Sequence, residues 1–470
     1  MKKILFVLAF LSYQVITAQD PRIPLDTTVV TTNSVIIKGK NVPYKTTTGM
    51  QPVWNSNGKI VATLNYTYYS RTDVKDNSKR PLIMSFNGGP GSASVWMHIA
   101  YTGPKILKID EEGNPIQPYG IQDNPYSVLD VADIVFINPV NTGYSRPVLE
   151  KGEKIDNKYF FGVNADAKYL ADWLTTFMTR NNRWLSPKYI IGESYGGTRV
   201  MQLANELQSR QWMYLNGVIM VSPADYKVIR TGGSEDIAMN LPYFTATAWY
   251  HKMLPADLQQ KDLEEILPEA ELFSYNELLP AISKGGNISE EERNTVAKKM
   301  ARLTGIKKSV LLQQNLEMKP SFFWKELLRD KNGQTIGRLD SRYLGIDREE
   351  IGTSPDYSPE LTSWLHSFTP AMNYYTQHIL NFKTDVKYNM FGPVGKWNFE
   401  NEDARESLRK AMAQNPYLQV LVQSGYYDGA TTYGVAKYTM GKIDPSGKMK
   451  NRMFFKGYRS GHMMYLRKED

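Results

Sequence analysis

The chain of 470 residues contains no cysteine. That absence excludes disulfides, a thiol nucleophile and any thiolate metal site, and it leaves stability to the core alone. Histidine is scarce: the five are His98, His251, His366, His378 and His462, so every candidate general base can be weighed by name. The formal charge is +8, yet no Lys/Arg run of the nucleic-acid-binding kind is present. The excess reads as scattered, solvated surface charge, and no nucleic-acid partner is expected. There is no internal repeat and no low-complexity linker. Beyond the N-terminus no apolar run approaches the 18 or so residues a membrane span needs.

What the chain does have begins with a targeting pattern. Lys2 and Lys3 precede a mostly apolar stretch, Ile4 to Ile16, and Ile16-Thr17-Ala18 ends on a small residue. Residues 1–18 therefore read as a signal peptide cleaved before Gln19, which predicts an exported protein, periplasmic or secreted, with no stable membrane insertion afterwards. With no cysteine to follow, a lipid anchor at that point is excluded. Loss of Lys2 and Lys3 would leave 54 basic against 48 acidic residues, a charge of +6. The 30 tyrosines and 9 tryptophans suit a cleft for organic substrates as well as a large core.

From about Thr27 to Arg80 apolar and polar positions alternate, and Val35–Ile37 and Ile60–Leu64 read as antiparallel strands. Short continuous apolar runs then follow: Leu82–Met84, Ile134–Ile137, Tyr189–Ile191, Val218–Val221, Val420–Val422 and Met453–Phe455. Such runs suit strands buried on both faces of a parallel sheet. A helical stripe, Ala167, Leu170, Ala171, Leu174, Phe177 and Met178, lies between two of them. The alternation predicts a doubly wound α/β domain with a mostly parallel sheet flanked by helices. It lapses after Asp225 and resumes near Tyr417. The simplest division is a first part of the α/β domain at 19–225, an inserted, mainly helical cap at 226–400 and a second part at 401–470; a separate domain is the alternative. Within the insert, Ser289-Glu290-Glu291-Glu292 reads as a capping box and Asn332-Gly333 as a hairpin turn.

The stretch with the most chemical content is Tyr189-Ile190-Ile191-Gly192-Glu193-Ser194-Tyr195-Gly196-Gly197. A buried strand runs into a serine flanked by glycines and then into a helix, the G-x-S-x-G elbow of a serine nucleophile. Glycines two before and two after Ser194 avoid a Cβ clash and leave the hydroxyl exposed. Such a serine needs a base and an orienting acid, following in the order Ser, Asp, His on loops after later strands. His462 alone follows the last apolar strand. Asp428, just past Val420–Val422, is the candidate acid, and Asp225 is its rival.

Several blocks in order resemble the serine carboxypeptidases of the α/β-hydrolase superfamily. Asn87-Gly88-Gly89-Pro90-Gly91-Ser92-Ala93-Ser94 is similar to the family's NGGPGCSS block. Asn124–Ser127, Asn138-Pro139 with Thr142–Ser145, and Gly192–Gly197 are similar to its NPYSW, SPxGxGFSY and GESYAG stretches. The Asp428 and His462 segments match its acid and base motifs. Leu241-Pro242 through His251, with Arg338-Leu339-Asp340-Ser341-Arg342, is similar to the bacterial branch. The resemblance implies an α/β-hydrolase fold and a peptidase acting on peptide substrates, without metal or cofactor. It implies Ser194 as nucleophile, His462 as base and then acid, Asp428 as its orienting group, and the Gly89 and Tyr195 N–H groups as oxyanion donors. Asn87, Gly88 and Glu193 would hold the substrate's free α-carboxylate. A Gly-rich loop beside the nucleophile suits this physically, because only glycine lets backbone donors come so close to a tetrahedral oxyanion.

The chain also departs from the family pattern. Ser85 stands where the family has tryptophan, Ser92 where it has cysteine, and Tyr101 where it has a second glutamate, so a Tyr101 hydroxyl would replace that carboxyl. Eight residues follow His462, so the closing helix would be short or missing, as in a sequence cut short there. The same triad serves any acyl transfer, so an esterase or acyltransferase is the alternative, and a catalytically silent binding protein the remaining one.

Overall fold

The computed structural model describes residues 23–224, 231–399 and 403–467. The targeting segment and the rival acid Asp225 lie outside these. The opening section is an antiparallel meander of β1 (Thr27–Ile37), β2 (Lys40–Trp54) and β3 (Ile60–Arg71). Lys38 and Gly39, both at positive φ, make the two-residue turn between the first two strands. Six more strands continue the sheet: β4 (Leu82–Phe86), β5 (Asp133–Ile137), β6 (Lys188–Glu193), β7 (Gly217–Val221), β8 (Gln419–Gly425) and β9 (Met453–Tyr458). The order is β1-β2-β3-β5-β4-β6-β7-β8-β9. Pairing is antiparallel as far as the β3–β5 contact and parallel from β5 onward. Each continuous apolar run of the sequence is one of these strands.

Five of those runs are continuous because both faces are covered; at the edge strand β9 Phe454 is 48% exposed, so Met453–Phe455 is covered on one face only. Met84, Phe86, Val135, Ile137 and Ile190 enter one core with Leu170, Leu174 and Phe177 of α1 (Val163–Arg180) and Leu203 and Leu207 of α2 (Tyr195–Arg210). Their strand neighbours Ile83, Ile134, Phe136 and Ile191 enter the other, with Trp96, Trp364, Phe368 and Met463. Successive side chains on a strand point to opposite faces, so a strand with two cores is apolar at most of its positions. Each large apolar side chain so buried contributes about 1.5–3 kcal/mol.

Between β7 and β8 the described chain is mainly helical. It includes α3 (Leu241–Tyr250), α4 (Leu263–Phe273), α5 (Glu290–Thr304) and α6 (Pro359–Tyr374). Leu241, Phe244, Ile266, Val296, Met300 and Phe323 form a core of their own, whereas α6 gives Trp364 and Phe368 to the sheet. Ser289 caps α5, its hydroxyl accepting from Glu292 N at 3.2 Å. Asn332-Gly333 does not form the expected hairpin turn. Gly333, at φ 67°, ends a short helix, Arg329–Asn332, a use of positive φ as natural to Asn-Gly as a turn. A hairpin does follow directly, Thr335–Ile336 with Leu344–Gly345, but its connection is residues 337–343. The final helices are α7 (Ala404–Gln414), packed against α2, and α8 (Tyr433–Ile443).

Candidate active site

The sequence-predicted residues gather at the carboxyl ends of the parallel strands, where open α/β sheets place their ligand crevice. Asn87 follows β4 directly, Ser194 follows β6, and Asp428 and His462 lie in the loops after β8 and β9.

Ser194 joins β6 to α2 with φ 59° and ψ −125°, a conformation that L-residues adopt only when their surroundings impose it. Here they do. A Cβ on Gly192 would sit 2.0 Å from the Gly196 carbonyl oxygen, and one on Gly197 2.7 Å from Pro223 Cβ. Ser194 N donates to Val221 O at 2.9 Å, and its carbonyl accepts from Gly197 N at 2.8 Å and Ala224 N at 3.0 Å. From Ile190 to Ala204 Ser194 is the only residue not fully buried. The Gly88-Gly89 loop packs on this elbow. A Cβ at Gly88 would lie 2.5 Å from Tyr195 N and 2.9 Å from Ser194 Cβ, and Gly89 has φ 102°. Glycine thus brings the loop backbone against the N-terminus of α2, where helix amides point outward.

Asp428 is fully buried and saturated with donors. Oδ1 accepts from Ala430 N at 2.8 Å and Thr431 N at 3.0 Å; Oδ2 accepts from Thr431 Oγ1 at 2.6 Å and His462 Nδ1 at 2.8 Å. His462 N donates to Leu339 O at 2.6 Å, and its carbonyl accepts from Ser222 Oγ at 2.8 Å. Burial alone would pull the imidazole pKa down; the Asp428 carboxylate and its hydrogen bond, with Glu193 nearby, outweigh it and hold the ring above its ordinary value, against the Arg338 charge. The other histidines are spent differently. His98 is stacked on Phe136 with ring centres 4.3 Å apart, and burial pushes it down to about 3. His251 Nε2 donates to Ser341 O, His366 Nδ1 to Thr362 O, and His378 lies against the Tyr374 ring.

Asn87 Nδ2 donates to Glu193 Oε1 at 3.0 Å, while Asn87 Oδ1 accepts from Met97 N at 3.0 Å. Glu193 is 2% exposed. Burial pushes its carboxyl up to about 7, opposed by His462 and by the Tyr465 and Asn87 hydrogen bonds, and reinforced by Asp428. The hydroxyl reaching Glu193 is not that of Tyr101. Tyr465 donates to Glu193 Oε2, and Tyr101 stacks on Tyr465 with ring centres 4.7 Å apart while its own hydroxyl turns to Gln423 Oε1 at 3.4 Å. The phenol supplied by the chain beyond His462 fills the place that position 101 was expected to fill. Ser85, at the tryptophan position, is fully buried.

Three further contributors had no sequence signal beyond residue type. Thr431 bonds Asp428 and stands 3.0 Å from His462 Nδ1; a threonine three residues after the acid was the only hint. Ser222, at φ 44°, holds the His462 carbonyl. Arg199, fully buried on α2, pairs with Asp166 of α1 at 2.6 Å, donates to the carbonyls of Asn87 and Pro90, and so pins the glycine loop from behind. An arginine beside Val200 and Met201 in a buried stripe was its only trace.

Strand order, strained serine elbow and buried Asp–His pair together define an α/β-hydrolase. Within that superfamily the match is specific: the profile of the serine carboxypeptidase family spans residues 39–455, and the chain belongs to that family. Among similar proteins, serine carboxypeptidase-like 36 of Arabidopsis thaliana is 30% identical over 163 residues, 33% of this chain and 31% of that protein. Serine carboxypeptidase-like 37 of the same plant is 32% identical over 168 residues, 33% of this chain and 31% of that protein. The matches thus span about a third of the length of these relatives. Among solved structures, Kex1Δp, a prohormone-processing carboxypeptidase from Saccharomyces cerevisiae, superimposes with a TM-score of 0.54 at 14% identity, covering 90% of this chain and 89% of its own; that likeness is one of fold. Among the described residues no helix is long and apolar enough to cross a membrane.

Proposed function

We propose that this protein is a serine carboxypeptidase that releases C-terminal residues from peptides through an acyl-enzyme. Ser194 Oγ attacks the last peptide carbonyl as His462 takes its proton. His462 then returns the proton to the leaving amino group, and water repeats the sequence on the ester. Asp428, held by four donors, keeps the imidazole in the tautomer with Nδ1 protonated and stabilises the imidazolium. The N–H groups of Gly89 and Tyr195 receive the oxyanion.

The observation that carries the choice of peptidase is Glu193. It is a buried carboxyl held up to about 7, bonded to Asn87 and adjacent in sequence to the nucleophile. Ester hydrolysis has no use for such a group. A terminal carboxylate does: two like charges there cannot both ionise cheaply, so a protonated Glu193 shares its proton with the substrate, with Asn87 and the Gly88 backbone alongside. The missing second glutamate at Tyr101 and the Ser85 replacement favour an esterase or acyltransferase as the second reading. Residues 226–400 act as a cap that shapes the cleft, and the N-terminal segment directs export, as in a bacterial exported branch of the family. Comparing a peptide free acid, its amide and a simple ester as substrates tests the reading. A preference for the free acid supports it; equal hydrolysis of the amide and the acid refutes it.

A further inference from the structure

The connection 337–343, inside the inserted segment, bonds His462 and both chain neighbours of Asp428. Gly337 N donates to Tyr343 O at 2.8 Å and closes the loop. Its backbone then makes three bonds outward: Gly429 N to Arg338 O at 3.0 Å, Ser341 N to Tyr427 O at 3.0 Å, and His462 N to Leu339 O at 2.6 Å. The residues on either side of Asp428, and His462 itself, are thus bonded to one loop. A Cβ on Gly461 would lie 2.4 Å from Asp340 Cβ, so the loop also packs directly on the residue before His462.

Inside it, Arg342 embraces Asp340. Nε donates to Oδ1 at 2.9 Å and Nη2 to Oδ2 at 2.7 Å, with side chains only 3% and 5% exposed. The same guanidinium donates to Arg459 O at 3.0 Å and Ser460 Oγ at 3.4 Å and lies 5.2 Å from the Tyr427 ring centre. A buried ion pair gains little net stability over apolar packing. A planar fork of five donors does, however, join a carboxylate, the chain before His462 and the ring before Asp428 at once, which an ammonium cannot. On its outer side the loop is fixed to the insert: Tyr243 of α3 bonds Ser341 Oγ at 2.5 Å, and Glu360 of α6 accepts from Leu339 N at 2.7 Å.

We propose that Asp340 and Arg342 are positioning residues, a clasp through which the inserted segment sets His462 against Asp428. This rests on the reading of Ser194, His462 and Asp428 as a triad. The test uses the full chain with Arg342→Lys, Arg342→Gln and Gly461→Ala, the last adding a methyl group against Asp340 while removing no charge. Fluorophosphonate labelling counts competent sites; labelling rate and ester kcat and KM are then followed against pH, with thermal unfolding measured alongside. An ester substrate makes no use of the Glu193 carboxyl. We expect labelling per competent site to slow by about 10–10²-fold, since misplacement by an ångström costs that much, with kcat falling and KM held. The acid limb moves to lower pH, because His462 loses part of its Asp428 support; the other charges facing it are Glu193, outside the loop, and Arg338, within it. Variants that label at the wild-type rate with an unmoved acid limb, or that lose rate only in proportion to unfolded protein, overturn the clasp. A wild-type chain that does not label at Ser194 overturns the triad reading first, and the clasp with it.

Discussion

Asn87 and Glu193, 106 residues apart in the chain, are joined by a 3.0 Å hydrogen bond from Asn87 Nδ2 to Glu193 Oε1. The bond ties the tip of β4 to the tip of β6 immediately before Ser194. Burial pushes the Glu193 carboxyl up to about 7, and the sign of its effect follows. On the carboxypeptidase reading its neutral form would receive a terminal carboxylate and its ionised form would repel it, so peptide kcat/KM should fall as pH rises through about 7 while ester hydrolysis keeps rising until His462 is neutral. Glu193→Gln should flatten the alkaline fall, and Asn87→Ala should raise the peptide KM while sparing esters. Stability carries the same sign: a carboxyl raised from 4.5 to about 7 contributes stability below the lower value that is lost as pH rises through the upper one. Thermal unfolding from pH 4 to 8 should therefore decline less in Glu193→Gln. Identical pH profiles for peptide and ester would remove the carboxylate site.

Tyr465 should tune that titration. Its hydrogen bond favours ionised Glu193, so Tyr465→Phe should raise the Glu193 pKa and carry peptidase activity to higher pH. A shift to lower pH would contradict the assignment of Tyr465, rather than Tyr101, as the donor.

The Asp–His pair yields graded losses. Ser194→Ala or His462→Ala should lower turnover by roughly 10⁴-fold or more, and Asp428→Asn should also be severe because the imidazole loses its tautomer. Thr431→Val removes one hydroxyl from a charged acceptor, worth about 1.5–3 kcal/mol, and should cost about 10–10²-fold. A Thr431→Val enzyme at full rate would make that bond incidental. Asp225→Asn should be mild.

Arg338 opposes the protonation of His462. Arg338→Gln should therefore raise the imidazole pKa and move the acid limb of ester kcat/KM to higher pH, with a smaller shift at high salt if solvent already screens the charge. An acid limb that does not move would place the guanidinium too far away to matter.

The strands and the serine elbow were legible because their causes are local. Val218–Val221 is a strand for reasons contained in its own residues, and Gly192 and Gly196 crowd each other across four positions. The pairing of Asp428 with His462 was legible through strand order. What escaped was set by residues far apart in the chain. Leu339 and His462 are 123 positions apart, and no periodicity marks either as the partner of the other. The Asn332-Gly333 reading failed for a different reason: a positive φ can end a helix or turn a hairpin, and the residues after it decide. Tyr465 carried no sequence signal because it lies 272 positions from Glu193, and its phenol reaches that carboxyl from another loop.

The parts of the site leave the ribosome in a fixed order: Asn87, then Ser194, then the 337–343 connection, then Asp428 and finally His462. The β6–α2 elbow can form early, but β9 must still pair with β8 before an imidazole stands beside Asp428. A chain emerging N-terminus first therefore carries Ser194 without His462 for more than half of its synthesis, and on the triad reading it could do no chemistry until β9 is in place.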